Sequence, residues 1–246
     1  MKTPFIQFKN IKKSFGTNRV LQDINLSLYN GEIFAVIGKS GSGKSVLLKH
    51  IIGLVDQDEG DILIYGKPLK QLSFNDKIRF QKALSYMFQD NALFDFMNIY
   101  DNISLPLVEN SVFPKDHVGK KVFTRMEQLG LTGIEDKFPA QISGGMKKRV
   151  ALARALVTDP EIVLFDEPTT GLDPVRKKNV HLMIQEYQQK FRFTAVIVTH
   201  DIPEIFNICQ RIAMLDEGVI KFEGSKEELF DSQSKTVNNF INGENF

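Results

Sequence analysis

The sequence holds one cysteine in 246 residues, Cys209, which excludes an internal disulfide framework. A reducing compartment fits that count, and the expected role of Cys209 is that of a small buried residue. Net charge is nearly absent. A balance of +1 makes no electrostatic case for a nucleic-acid partner. Long apolar runs are missing too. The longest are strand-sized, such as 162–165 and 194–198, against the roughly 20 residues that cross a bilayer. Action at a membrane would therefore need other chains to supply the span. The opening stretch MKTPFIQFKNIKKSFG lacks the apolar centre of a secretory signal, so none is expected. No internal repeat or low-complexity segment is present. The composition is that of an ordinary soluble globular protein, long enough for one large domain or two small ones.

What is present is organised around one stretch. Gly38, Lys39, Ser40, Gly41, Ser42, Gly43, Lys44 and Ser45 follow the pattern of Gly, four residues, Gly, Lys, then Ser or Thr. An apolar run, Ile33–Ile37, precedes it, and Val46–Ile52 follows with helical character. Strand, glycine loop and helix together predict a phosphate-binding loop. Its glycines let successive N–H groups face one anion, and the helix start adds a positive dipole end. Lys44 can then reach the β- and γ-phosphates of a nucleotide, and the Ser45 hydroxyl can ligate Mg²⁺.

Along the chain, 5–8 and 20–28 alternate as strands, and Asn30-Gly31 reads as a hairpin turn into the loop's strand. Residues 58–61 read as a turn, 62–65 as a strand, 74–81 as a helix and 84–88 as a buried strand. From 91 to 158 the pattern is helical, with candidates at 118–129 and 144–156. Strand character resumes at 162–165 and 194–199. Helices are expected at 175–190 and near 202–208, a hairpin about Glu217-Gly218, and short helices at 227–230 and 237–241.

Two further clusters bear chemistry. The apolar strand 162–165 ends in Asp166 and Glu167, which suits Mg²⁺ coordination by Asp166 and activation of an attacking water by Glu167. Ser143, Gly144 and Gly145 open the helix 144–156 and form a second candidate anion site. One γ-phosphate cannot occupy two helix ends of one compact monomer unless they are adjacent.

With these motifs in order, the chain resembles the ATP-binding cassette (ABC) ATPases over nearly its whole length. In that family the signature loop of one subunit caps the nucleotide held by its partner. The resemblance implies a P-loop NTPase (RecA-like) α/β core with an antiparallel β subdomain (about 1–90 and 159–231), a helical subdomain (about 91–158) and a tail (232–246). It implies that Phe15 stacks on adenine and that Gln89 touches Mg²⁺ or the attacking water. Ile142–Met146 matches the signature, with Met146 where glutamine is usual. Gly171, Leu172 and Asp173 match the loop along the dimer interface, and His200 the histidine that contacts the γ-phosphate. ATP and Mg²⁺ are the implied cofactors. Loss of Glu167 should stall hydrolysis and spare binding, whereas loss of Lys44 should weaken binding itself.

Ser-Gly-Gly-Met at 143–146 and the segment Ser85–Asp95 further resemble the ATPases of the Mla group, which serve MCE-associated phospholipid transport in bacteria. That resemblance implies a head-to-tail dimer, integral membrane permease subunits, an MCE-domain partner and a peripheral place on the cytoplasmic face of the inner membrane. A polar-solute importer and a non-transport regulator of the FtsE type are the alternatives. The apolar residues Leu93, Phe94, Phe96, Met97, Ile99 and Tyr100 suit either a subdomain core or a groove for a permease helix. Val237, Phe240 and Ile241 suit either packing on their own subunit or a contact with a second copy.

Overall fold

The computed structural model describes residues 3–88, 92–109 and 114–243. Its strands are β1 (Ile6–Phe15), β2 (Asn18–Leu28), β3 (Ile33–Ile37), β4 (Glu59–Ile64), β5 (Lys67–Pro68), β6 (Leu84–Met87), β7 (Ile162–Asp166), β8 (Thr194–Thr199), β9 (Arg211–Asp216) and β10 (Val219–Gly224). Its α-helices are α1 (Lys44–Ile51), α2 (Phe74–Ala83), α3 (Ile99–Glu109), α4 (Lys115–Gln128), α5 (Gly144–Leu156), α6 (Pro174–Phe191), α7 (Lys226–Phe230) and α8 (Lys235–Ile241). Two sheets form. One is antiparallel, in the order β2-β1-β4-β5. The other runs β10-β9-β3-β8-β7-β6 and is parallel except for β10.

The central strands are apolar without interruption because both faces of the large sheet are covered. Successive side chains take opposite faces. Ile33, Ala35 and Ile37 pack with Phe165, Ile197 and the buried residues of α3 to α6. Phe34 and Val36 pack with Leu164, Val198, the α1 residues Leu47 and Leu48, and the inner face of the antiparallel sheet. Phe165 has no exposed surface, and such burial stabilises by about 1.5–3 kcal/mol per side chain. Helix starts follow from polar caps. Ser73, Ser143, Asp173 and Ser225 each accept a backbone N–H from the first turn of α2, α5, α6 and α7.

Several local expectations change. Asn30-Gly31 does not close a hairpin, since β2 and β3 belong to different sheets. The two-residue turn signal is overridden by burial of β3 on both faces. Residues 59–61 are strand rather than turn. Gly60 lies against β1, where a Cβ would stand 2.3 Å from the Asn10 carbonyl oxygen. The expected helix near 202–208 is a short 3₁₀ turn, Glu204–Asn207. Val237 and Phe240 are buried in the chain's own core, while Phe96 is 73% exposed. Among the described residues no helix is long and apolar enough to cross a membrane.

The topology sets the site. β8 lies between β3 and β7, and β6 flanks β7. The carboxyl ends of these four parallel strands stand side by side, the edge at which open α/β sheets place their ligands.

Candidate nucleotide site

At the end of β3 the chain passes so close to β9 that a Cβ on Gly38 would meet the Leu215 carbonyl oxygen at 2.1 Å. No side chain fits there. Gly43, at a left-handed φ of 102°, then opens α1. Lys44 is 4% exposed. Its ammonium donates to the carbonyls of Gly38 and Lys39, each at 2.9 Å, and lies 3.4 Å from a Glu167 oxygen. Burial lowers its pKa, and Glu167 opposes that shift only in part. Nearby, the Ser42 hydroxyl is buried without a hydrogen-bond partner. Lys39, Ser40 and Gly41 are exposed. A desolvated ammonium, an orphaned hydroxyl and a helix N-terminus form a fitting cradle for phosphate.

The acids stand at the end of β7, two strands away. Asp166 accepts a hydrogen bond from the Ser45 hydroxyl on Oδ1 at 2.7 Å and from the Tyr86 hydroxyl on Oδ2 at 2.6 Å. Burial first, and then Asp166, push the Tyr86 phenol well above its ordinary pKa, so it remains a donor. Glu167 is 9% exposed and has a φ of 49°. That left-handed conformation is uncommon outside glycine and costs of order 1–3 kcal/mol. The surroundings hold it there. Its N–H donates to the Val198 carbonyl at 3.0 Å. Its carboxylate accepts from the His200 backbone N–H and the Thr170 hydroxyl, each at 3.3 Å, and lies 2.8 Å from His200 Nδ1. Lys44, Glu167 and His200, from three elements, therefore meet at one point.

Behind them, Asp201 accepts from Thr169 at 2.6 Å and pairs with Lys177 of α6. Burial alone would raise the Asp201 carboxyl, but the bonds from Lys177 and Thr169 outweigh it and hold it below the usual range. Among the described residues no group of three or more His, Cys, Asp and Glu could hold a metal by itself. Mg²⁺ takes one or two protein oxygens and completes its octahedron with phosphate and water. Ser45 and Asp166, already joined, fit that requirement.

The other predicted residues lie elsewhere. Ser143, Gly144 and Gly145 are exposed at the start of α5, where the Ser143 hydroxyl accepts the Met146 N–H at 3.3 Å. A Cβ on Gly144 or Gly145 would meet nothing within 4 Å. They line a groove of about 880 Å³ with Leu172, Arg176 and Tyr187, and no residue of the phosphate loop lines it. Met146 packs against its own core, which accounts for an apolar residue at that signature position. Gly171 is exposed, and Asp173 caps α6 through the Arg176 N–H at 3.0 Å. Phe15 is half exposed, with the Lys13 ammonium 5.3 Å from its ring centroid. Gln89 lies outside the described residues.

Sequence reasoning assigned no role to Tyr86, Thr170 or the trio Thr169, Asp201 and Lys177. Strand register brings Tyr86 to Asp166, the turn after β7 brings Thr170 to Glu167, and packing of α6 brings Lys177 to Asp201. A tyrosine in an apolar strand otherwise looks like any packing aromatic.

A glycine loop between the central strand of a parallel sheet and a helix, with two acids closing a nearby strand, defines a P-loop nucleoside-triphosphate-binding protein. The particular family follows from comparison: residues 21–170 match the family model of the ABC transporter. The chain belongs to that family as an ATP-binding domain, and it is an ATPase. It is 41% identical over 236 residues to the methionine import ATP-binding protein MetN of Clostridium acetobutylicum, covering 96% of this chain and 73% of that protein. It is 33% identical over 244 residues to the intermembrane phospholipid transport system ATP-binding protein MlaF of Haemophilus influenzae, covering 99% and 92%. Among solved structures, it is similar to a dimeric ATP-binding cassette in a post-hydrolysis state bound to ADP and Pi. That likeness has a TM-score of 0.75 at 28% identity and covers 89% of this chain and 98% of the other.

Proposed function

We propose that this ATPase works as a head-to-tail dimer in which each nucleotide lies between the phosphate loop of one copy and Ser143–Gly145 of the other. The observation that carries this reading is the separation of the two helix starts. Lys44 and Ser45 join the strand-end cluster with Glu167 and Asp166, whereas Ser143–Gly145 face outward into a groove that no residue of the loop 38–45 lines. A second copy is the natural supplier of the missing half.

Within one site, Lys44 and the loop hold the phosphates, Ser45 and Asp166 hold Mg²⁺, and Phe15 offers its exposed face to adenine. Bound Mg²⁺ supplies charge neutralisation on the phosphate oxygens. Glu167 is the general base that takes a proton from water. Its carboxylate lies 3.4 Å from the Lys44 ammonium and 2.8 Å from His200 Nδ1. Lys44 and His200, both beside Glu167, are placed to face the terminal phosphate that the water attacks. Gln89 is the proposed contact toward the metal or water from the strand-end segment. Gly171, Leu172 and Asp173 line the dimer contact. The test is sedimentation of the Glu167→Gln variant with and without ATP. A dimer that forms only with ATP and disappears on adding Gly144→Arg supports the reading, and a persistent monomer defeats it.

For the transported substrate we propose phospholipid, moved with integral membrane permease subunits and an MCE-domain protein at the cytoplasmic face of a bacterial inner membrane. Support comes from Ser-Gly-Gly-Met at 143–146, the segment 85–95 and the likeness to MlaF. The higher identity to MetN favours a second reading, an importer of a small polar solute. Purification of the membrane partner separates them: co-purification of an MCE-domain protein supports the first, and of a solute-binding protein the second.

A further inference from the structure

Tyr86 is not part of any motif that identifies the site, yet it makes a short hydrogen bond there. It lies in β6 opposite Leu164 of β7, and Asp166 is two residues further along on the same face. The tyrosine leans along the strand so that its hydroxyl reaches Asp166 Oδ2 at 2.6 Å. Its ring lies 4.4 Å, centroid to centroid, from Phe88. Ser45 occupies the other oxygen, Oδ1, at 2.7 Å. An ionised carboxylate is an acceptor only, so both hydroxyls donate. One donor alone would leave the carboxylate free to turn about its Cβ–Cγ bond. Two donors on opposite oxygens stop that rotation. They also leave the Ser45 lone pairs, and one lone pair on each Asp166 oxygen, without a hydrogen bond from these two donors.

We propose that Tyr86 is a positioning residue for the ATPase reaction: through its hydrogen bond it holds Asp166 in the orientation that receives Mg²⁺. This inference rests on the reading of Ser45 and Asp166 as the magnesium-holding pair. Groups that orient a metal's ligand typically change metal affinity or activity by about 10–100-fold when removed. Tyr86 stands one bond behind the ligand, so the lower end of that range is expected.

The test uses the purified full-length chain carrying Glu167→Gln, so that nucleotide is not consumed. Binding of a fluorescent ATP analogue is titrated against Mg²⁺ and repeated in EDTA, and the thermal midpoint is recorded. Tyr86→Phe keeps the ring and its packing on Phe88 and removes only the donor. We expect the half-saturating Mg²⁺ concentration to rise about tenfold, with EDTA binding and thermal midpoint unchanged. The paramagnetic resonance spectrum of bound Mn²⁺ should broaden as the ligand loosens. Asp166→Asn is the control. If it shifts the Mg²⁺ requirement and Tyr86→Phe does not, the role of Tyr86 is overturned while the metal reading stands. If neither shifts it, the metal reading is overturned with it. Equal weakening by Tyr86→Phe in Mg²⁺ and EDTA would reduce Tyr86 to packing and also overturn the proposal.

Discussion

Two edges of this molecule are built from glycine and serine at the start of a helix, and they are in opposite conditions. At the phosphate-loop edge Lys44, Asp166 and Glu167 already have protein partners. Lys44 leans on two carbonyls, Asp166 on two hydroxyls and Glu167 on a histidine. At the signature edge Ser143 uses its hydroxyl as a cap, and Gly144 and Gly145 present bare backbone to solvent. The first edge is preorganised by the fold of one chain. The second is shaped for contact with something outside it. On the proposed reading, the chemistry resides in the monomer and its control resides between molecules.

Removing the base breaks the first edge most severely. Glu167→Gln should lower the hydrolysis rate by about 10²–10⁴-fold, the usual contribution of a positioned general base. ATP affinity should stay close to wild type, because Lys44 and the loop are untouched. Phosphate release under saturating ATP and equilibrium nucleotide binding check the two halves. Retained hydrolysis would remove Glu167 from its proposed role.

The contrast sharpens with one substitution made on each edge. Gly38→Ala forces a methyl group onto the Leu215 carbonyl oxygen, and overpacking of this kind costs about 1–3 kcal/mol. It should lower the melting temperature and nucleotide affinity of the monomer together. At Gly144 an added Cβ meets nothing within 4 Å, so Gly144→Arg starts from open space. Its folding stability should change by no more than about 0.5 kcal/mol, as for other surface sites. Monomer nucleotide binding should persist, and hydrolysis should fall by about tenfold or more, a barrier increase of at least about 1.4 kcal/mol. Thermal melts and turnover measured on both variants separate the two edges. Normal turnover in Gly144→Arg would deny the signature edge its intermolecular role.

The two edges were unequally legible in the sequence. The phosphate loop, the acid pair and the helix starting at Ser143 are local patterns of a few residues, and periodicity located β3, β7, β8 and α5. What local pattern could not supply was pairing. Asn30-Gly31 carries a strong turn signal, but the sheet to which β3 belongs depends on residues more than 150 positions away, such as Ala195 and Arg211. Tyr86, Lys177 and Asp201 were silent for the same reason. Their contacts cross between elements and have no spacing rule. The left-handed backbone at Glu167 was equally unreadable, because nothing in its residue type favours that conformation.

The smallest effect tests whether the loop after β7 belongs to the fold or to the dimer. Asp173 caps α6 by accepting the Arg176 N–H, and Ser73 caps α2 by accepting the Asp76 N–H at 3.1 Å. Replacing a cap of either type by alanine costs about 1 kcal/mol, or about 2–4 °C in melting temperature for a chain of this size. If Asp173 were only a cap, Asp173→Ala and Ser73→Ala would lower the melting temperature alike and leave turnover alike. Asp173 is exposed, however, and directly follows Leu172, which lines the same groove as Ser143–Gly145. A dimer closing over that groove must pass across it. We therefore expect equal losses of stability and unequal losses of turnover, with Asp173→Ala slower than Ser73→Ala by about threefold, a difference of about 0.65 kcal/mol. The difference should vanish when nucleotide binding to the monomer is measured instead of hydrolysis. Equal turnover in the two variants would confine Asp173 to the fold.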